Sequence, residues 1–403
     1  MQAIAWYEKA AQQGHEKAKA NLEEMRSKGL GAAKDEQLSL LLHRTLTELE
    51  STKSPASVAE TPTNEDAAEW KRLIETTVSG KAETETLAAA VKSYLDKHPT
   101  KIDELKAAAG EGNSNAQASL ARMYTRGFGV KADHKEALTW AQKSAVQGNA
   151  FAQLMIGIAY DYEFGVKKDE AEALKWYRLA ADRGYAQAQV NVGWDYESGK
   201  GIAKDEAEAV KWYRLAAEQG NIRGQASLAT AYAMGKGVAK DEAESFKWLL
   251  KSANAGDVQS QTIVAARYSL GLGVAKNIAE SFKWYRKAAE AGDGNAQSNL
   301  GAMYANGEGV VRDGKEALVW YRKGAEQGNP SAMTNLAWAY LYGNNGTFRD
   351  EKEAFQWMQK AADKNFPVAC KALSEMYEKG QGVAKDMNEA KKWYEKAEKT
   401  TMK

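Results

Sequence analysis

The chain has 403 residues, with 55 Lys and Arg against 54 Asp and Glu, and its net charge of +1 provides no global field for nucleic acid or anionic lipid. Cys370 is the only cysteine, which excludes an intrachain disulfide and weakens any reading as a disulfide-stapled secreted protein. No apolar run approaches the ~20 residues of a membrane helix, the start MQAIAWYEKAAQQG lacks the charged and apolar stretches of a signal peptide, and five prolines among abundant Ala, Glu, Lys and Leu point to an all-helical protein, cytoplasmic as written.

Residues 1–50 read as a degenerate repeat fragment. Trp6 to Gly14 looks like the end of a second helix; Leu22, Gly29 and Lys34–Asp35 continue the pattern, with Arg26 and Leu42 in places that later hold Tyr and Trp. Residues 51–64, rich in Ser, Thr, Pro and Glu, read as a linker. Residues 65–112 read as an atypical helical cap, with helices near Ala67–Val78 and Glu83–Lys97 and a worn second helix over Lys101–Gly112. Terminal units of an array are expected to be atypical because one side has no neighbour.

From residue 113 a repeat sets in. Trp140, Trp176, Trp212, Trp248, Trp284 and Trp320 follow one another at 36 residues, Trp357 comes after 37, and Trp393 after 36. Tyr124, Tyr160, Tyr196, Tyr232, Tyr268, Tyr304, Tyr340 and Tyr377 keep the same step. A period in this range means a repeat array. Within Tyr185–Gly220, two helical patterns flank a Gly-rich loop. Ala188, Val192, Gly193 and Tyr196 share one face of the first helix, and Ala209, Trp212 and Ala216 form a small–large–small stripe on the second, a knob between two shallow seats.

Helix ends are marked in every unit. Asp133, Asp169, Asp205, Asp241, Asp313, Asp350 and Asp386, with Asn277 once, each precede a Glu by three, the capping-box arrangement. Those glutamates sit four residues before each Trp, at the positive end of the helix dipole, and read as structural rather than as acid–base groups. Gly148, Gly184, Gly220, Gly256, Gly292 and Gly328 close second helices, and the Asn or Asp that usually follows caps the next helix. Gly199–Lys200–Gly201 lacks the preceding strand and the Gly-Lys-Ser/Thr ending of a phosphate loop. His15, His43, His98 and His134 form no metal pattern, and Cys370 has no nucleophile motif around it, so no catalytic, metal or cofactor residue is assigned.

These motifs resemble the Sel-1-like repeat (SLR) family, whose pattern, approximately AQxxLGxxYxxGxGVxKDxxEAxxWYxKAAxQG, stands nearly intact at Ala188–Gly220 and Ala296–Gly328. Residues 113–403 read as eight such repeats with a C-terminal tail. Glu163 in place of the loop Gly, Asn277 in place of the capping Asp, and the longer Gly343–Asp350 loop depart from the pattern. The resemblance implies an all-α, right-handed superhelical solenoid of stacked antiparallel helix pairs, first helices on the concave side. It also implies a bacterial, non-catalytic protein–protein interaction scaffold or adaptor. The paired cysteines of members linked to penicillin binding are missing here, so that activity is not carried over.

The partner-facing surface is expected on the first-helix face turned away from the Tyr stripe. It carries Phe151, Met155, Ile158 and Tyr162 in the second unit, Asn191 and Trp194 in the third, and Met234 in the fourth. Ile263 and Leu270 follow in the fifth, and Asn335, Trp338 and Tyr342 in the seventh. These side chains either contact a protein or peptide partner or seal neighbouring helices. An immunity protein that neutralises a toxic effector is the alternative binding function; a cell-wall or β-lactam hydrolase is the enzymatic one, and no nucleophile–base pair supports it. Neither nucleic acid nor membrane insertion is expected.

The domain reading predicts that residues 51–64 are the first to be cut in limited proteolysis. Deleting 1–64 leaves a soluble helical protein, whereas deleting 1–112 uncovers a stacking face and causes aggregation, both followed by light scattering. Aggregation of the 65–403 fragment would move the boundary.

Overall fold

The structure is a computed structural model that describes residues 85–98, 100–344 and 346–401. The chain divides into two units, Met1–Glu69 and Trp70–Lys403, and every described residue belongs to the second. The repeat fragment over 1–50, the linker over 51–64 and the helix expected near Ala67–Val78 therefore lie outside the described residues.

All regular structure among the described residues is helical. It begins with α1 (Glu85–Lys97) and α2 (Lys101–Gly110). Eight helix pairs follow: α3 (Ser114–Arg126) with α4 (His134–Ala145), α5 (Ala150–Tyr162) with α6 (Glu170–Ala181), α7 (Ala186–Ser198) with α8 (Glu206–Glu218), and α9 (Ile222–Met234) with α10 (Glu242–Asn254). They continue as α11 (Val258–Leu270) with α12 (Ile278–Glu290), α13 (Gly294–Asn306) with α14 (Gly314–Glu326), α15 (Pro330–Tyr342) with α16 (Glu351–Asp363), and α17 (Pro367–Lys379) with α18 (Met387–Thr401). From α2 onward each helix packs on the next, which makes the array a solenoid. First helices also approach one another across repeats (α3 and α5, α7 and α9, α13 and α15, α15 and α17), and second helices do not do so to that extent. The first helices thus form the inner layer.

The helix ends follow from the cap residues. Asn113, Asn149, Asn221, Asp257, Asp293 and Asn329 each accept the backbone N–H three residues on and start a first helix. First helices end on a left-handed residue, such as Gly199 at φ 75°; Glu163 holds φ 62° where the other repeats use glycine. Asn277 caps α12 as the aspartates cap their helices, by accepting from Glu280 N–H.

The capping box is only half realised. The Asp side chains accept from the third-position amide, as Asp205 does from Glu208 at 2.9 Å. The reciprocal bond is absent because the cap's own N–H is already used: Asp133 donates to Tyr124 C=O, Asp205 to Tyr196 C=O and Asp313 to Tyr304 C=O, all at 2.9 Å, and the other repeats do the same. That carbonyl belongs to the last turn of the first helix and has no intrahelical partner. Two orphan groups thus satisfy each other across the loop. The glutamates turn to a lysine three residues on, as in Lys211–Glu208 at 2.7 Å, or to an indole, as Trp357 Nε1 donates to Glu353 at 2.9 Å. These exposed pairs contribute little.

A second bond joins the repeats. Gln117, Gln153, Gln189, Gln225, Gln261 and Gln297 are buried, and each Nε2 donates to the carbonyl of an alanine near the end of the preceding second helix, from Ala109 to Ala289, at 2.9–3.3 Å. Cys370 occupies the same place in the last repeat, with Sγ 3.5 Å from Ala362 C=O. Burial raises its thiol pKa, in keeping with a packing role.

The knob expected at Trp212 is displaced by one residue. Ala209 and Ala216 are buried, but Trp212 is half-buried, and the fully covered ring is Tyr213. The next residue on a helix lies about 100° further round, and at that angle Tyr213 meets Gly193, where an added Cβ would stand 2.6 Å from the ring. Gly157 faces Tyr177 and Gly301 faces Tyr321 in the same way. The tryptophans pack alongside and carry a lysine over the ring in six repeats, with the ammonium 3.7–5.1 Å from the centroid. The loop glycine after the helix end has its own reason: a Cβ at Gly201 or Gly237 would run into the Glu170 or Glu206 carbonyl at the start of the preceding second helix.

Tyr213→Ala is expected to cost about 3–5 kcal/mol, the range for deleting a buried large aromatic, and more than Trp212→Ala. Gly193→Ala should cost about 1–3 kcal/mol by overpacking. Adding Tyr213→Leu, which reproduces the Ala229 and Leu249 found at the same places one repeat on, should recover part of that loss. Urea midpoints measure all three, and no recovery in the double variant would separate Gly193 from Tyr213.

Candidate interaction groove

The inner face of α3, α5, α7 and α9 encloses a groove of about 1640 Å³. Six of the residues expected at the partner surface line it: Phe151, Met155, Ile158, Tyr162, Asn191 and Trp194. The remaining six, Met234, Ile263, Leu270, Asn335, Trp338 and Tyr342, lie along later repeats and do not line it.

Their surroundings differ. Tyr162, Met234, Leu270 and Tyr342 end their helices well exposed, and Ile263 is more weakly so. The Trp194 indole is 50% exposed. Met155 and Ile158 are partly covered by the core, as is Trp338. Phe151 is buried, with the Arg122 guanidinium 5.5 Å from its ring centroid and Tyr185 packed beside it. Asn191 accepts from Gln187 Nε2 at 3.3 Å, and Asn335 donates to Ser298 Oγ at 3.4 Å.

Sequence reasoning passed over a polar cluster at the same place. Asp161, at the end of α5, accepts from Tyr177 Oη at 3.0 Å and pairs with Lys200 Nζ at 2.7 Å. Lys200 comes from the Gly199–Gly201 loop, and its ammonium lies 4.9 Å from the Trp194 ring centroid and 5.9 Å from that of Tyr162. The arrangement recurs one repeat on, where Glu197 accepts from Tyr213 Oη at 2.7 Å and pairs with Lys236 at 3.3 Å. The GKG loops thus present their lysines to a carboxylate of the preceding first helix.

Asp195 is the unusual member. It lines the groove, it is 1% exposed, and its Oδ2 has no hydrogen-bond partner. Burial, reinforced by the nearby Asp161 carboxylate and opposed by Lys200, pushes its carboxyl up to about 7. The same register position holds Ala159, Ala231 and Ala339, Met123, Met303 and Met376, and Arg267 in the other repeats. A carboxylate in a column of alanine and methionine, broken otherwise only by Arg267, which pairs with Glu242, is the signal that would have found it.

The sign of its effect on stability follows. The unfolded carboxyl ionises near 3.8 and the folded one near 7, so between those values the native state binds more protons and stability falls as pH rises. Above about 7 the penalty is complete. Asp195→Ala should therefore raise the melting temperature more at pH 8 than at pH 5; thermal melts at the two pH values measure this, and an equal shift at both would remove Asp195 from the balance.

Among the described residues no helix is long and apolar enough to cross a membrane, and no group of His, Cys, Asp and Glu is arranged to hold a metal ion. No curated protein sequence matches the chain. The structure is similar to that of c5321, a protective antigen present in uropathogenic Escherichia coli strains displaying an SLR fold, with 38% identity and a TM-score of 0.68 over 74% of this chain and 64% of that one. The chain thus spans less than two thirds of that protein's length. It is also similar to a Sel1 repeat protein from Oxalobacter formigenes, with 34% identity and a TM-score of 0.53 over 61% of this chain and 96% of that one. The immunity protein Pa5087 of Pseudomonas aeruginosa, 20% identical over 53% of this chain and 81% of that one, superposes with a TM-score of 0.33, too loosely to bear on function. The sequence profile of the Sel1 repeat matches residues 1–15 and eight consecutive segments from 114–149 to 367–399. Given these matches and the helix pairs they cover, the chain belongs to the Sel1 repeat family.

Proposed function

We propose that this protein is a non-catalytic interaction scaffold that holds a protein or peptide partner on the concave face of its repeat array. The observation that carries this reading is the groove between the first helices of the early repeats, with the half-exposed Trp194 indole and the exposed Tyr162 ring in its wall. An aromatic surface of this kind is favoured at interfaces because it covers area at low entropy cost. Further along the same layer, Met234, Leu270 and Tyr342 extend the exposed apolar row, so a long partner has contacts beyond the groove.

The reading predicts that Trp194→Ala weakens capture of the native partner by about tenfold or more, the scale of an interface hot spot, while helix content and melting stay close to wild type. Trp338→Ala, whose ring is partly covered by the core, should cost stability as well. Affinity purification from the source cell with each variant, followed by titration of the captured protein, makes the test. Normal affinity in a well-folded Trp194→Ala protein removes the contact. A toxic enzyme as the captured partner changes the role from adaptor to immunity protein without changing the surface.

A further inference from the structure

The Asp195 cluster allows the partner's chemistry to be narrowed, on the reading that the groove is the binding surface. Three observations bear on it. First, the fold does not need a carboxylate here, since alanine occupies the same position in three other repeats. Second, Asp161 and Asp195 stand close enough to influence each other, and the single ammonium beside them, Lys200, is paired with Asp161 and leaves Asp195 Oδ2 without a hydrogen bond. A buried carboxylate without a counter-charge is costly, and its cost falls when a cation is supplied with good geometry. Third, the neighbouring residue on the same helix is Trp194, whose ring already attracts one ammonium at 4.9 Å and remains half exposed. An indole face beside a carboxylate is the surrounding that a cationic side chain seeks.

We infer that the groove selects an extended partner segment bearing a lysine or arginine, whose cationic group is taken up by Asp195 next to the Trp194 ring. The incoming base brings the local count to two carboxylates and two cations. A partner with an acidic residue at that point would meet Asp161 and Asp195 and be repelled. Asp195 is covered in the unbound protein, so uptake requires the Trp194 indole, half exposed at the groove wall, to turn outward while Lys200 stays paired with Asp161. The groups facing Asp195 are Asp161 from α5, Glu170 and Tyr177 from α6, Tyr213 from α8 and Lys200 from the loop; none of them offers a further free cation.

The test uses the full chain and a library of short random peptides. Selected peptides are titrated by fluorescence polarisation against wild type, Trp194→Ala and Asp195→Ala; the last keeps the residue that other repeats carry and should melt no lower than wild type. The expected result is a set of peptides that need Trp194, share Lys or Arg at one position, and lose about tenfold or more in affinity with Asp195→Ala. Replacing that base with norleucine should cost the same in wild type and nothing further in Asp195→Ala, the coupling expected of a direct contact. Peptides that need Trp194 but share no base, or that bind Asp195→Ala equally well, overturn this inference and leave the scaffold standing. A library that returns no Trp194-dependent peptide overturns the groove as a binding surface, and this inference with it.

Discussion

Short helices have a backbone problem: the last carbonyls and first amides of each one lack intrahelical partners. This array uses those groups as its joints. Within a repeat, the amide of the Asp or Asn that caps the second helix donates to the Tyr carbonyl near the end of the first. Between repeats, a buried glutamine amide donates to a carbonyl near the end of the preceding second helix. The first contact is main chain to main chain and the second needs only a buried glutamine, so the register of the array does not depend on which side chains occupy its exposed surface. That is why the inner face can vary so widely from repeat to repeat.

Close approach completes the joint. Gly193 and Gly301 admit a tyrosine ring from the second helix, and the second loop glycine admits the start of the preceding repeat's second helix. Where the ring is replaced by Leu249, the facing residue grows to Ala229. The pairing is not strict, since the fifth repeat combines Ala265 with Tyr285 at these places. The tryptophans that define the period lie beside this seat, with lysines over their exposed faces, and they close the seam between pairs.

On this frame the second and third repeats carry chemistry that the others do not. Two loop lysines reach back to carboxylates of the preceding first helix, Lys200 to Asp161 and Lys236 to Glu197, and each carboxylate also accepts from a buried tyrosine. Asp195 adds a charge that the packing does not call for. A rigid array tolerates such a group because its neighbours hold the helix in place, and functional sites are where such tolerance is usually spent.

The sequence by itself determined everything that is decided within a few residues of chain: the 36-residue period, the helix starts at Asp and Asn, the ends at Gly, and the stand-ins Glu163 and Asn277. Each of these depends on local backbone geometry, and local geometry is written locally. Tertiary structure alone decided what covers a given face. Phe151 and Trp194 share a face on the sequence pattern, yet Arg122 and Tyr185 cover one while the other stands half open. The capping glutamates lost their expected partner to a carbonyl nine residues or more away, as Asp205 N–H shows with Tyr196 C=O. Asp195 became a buried, unpaired carboxylate because the groups around it arrive from the preceding repeat and from the next loop. Burial and charge pairing are set by neighbours 16 to 39 residues away, as in Tyr177 with Asp161 and Lys236 with Glu197, and no reading of a single helix contains them.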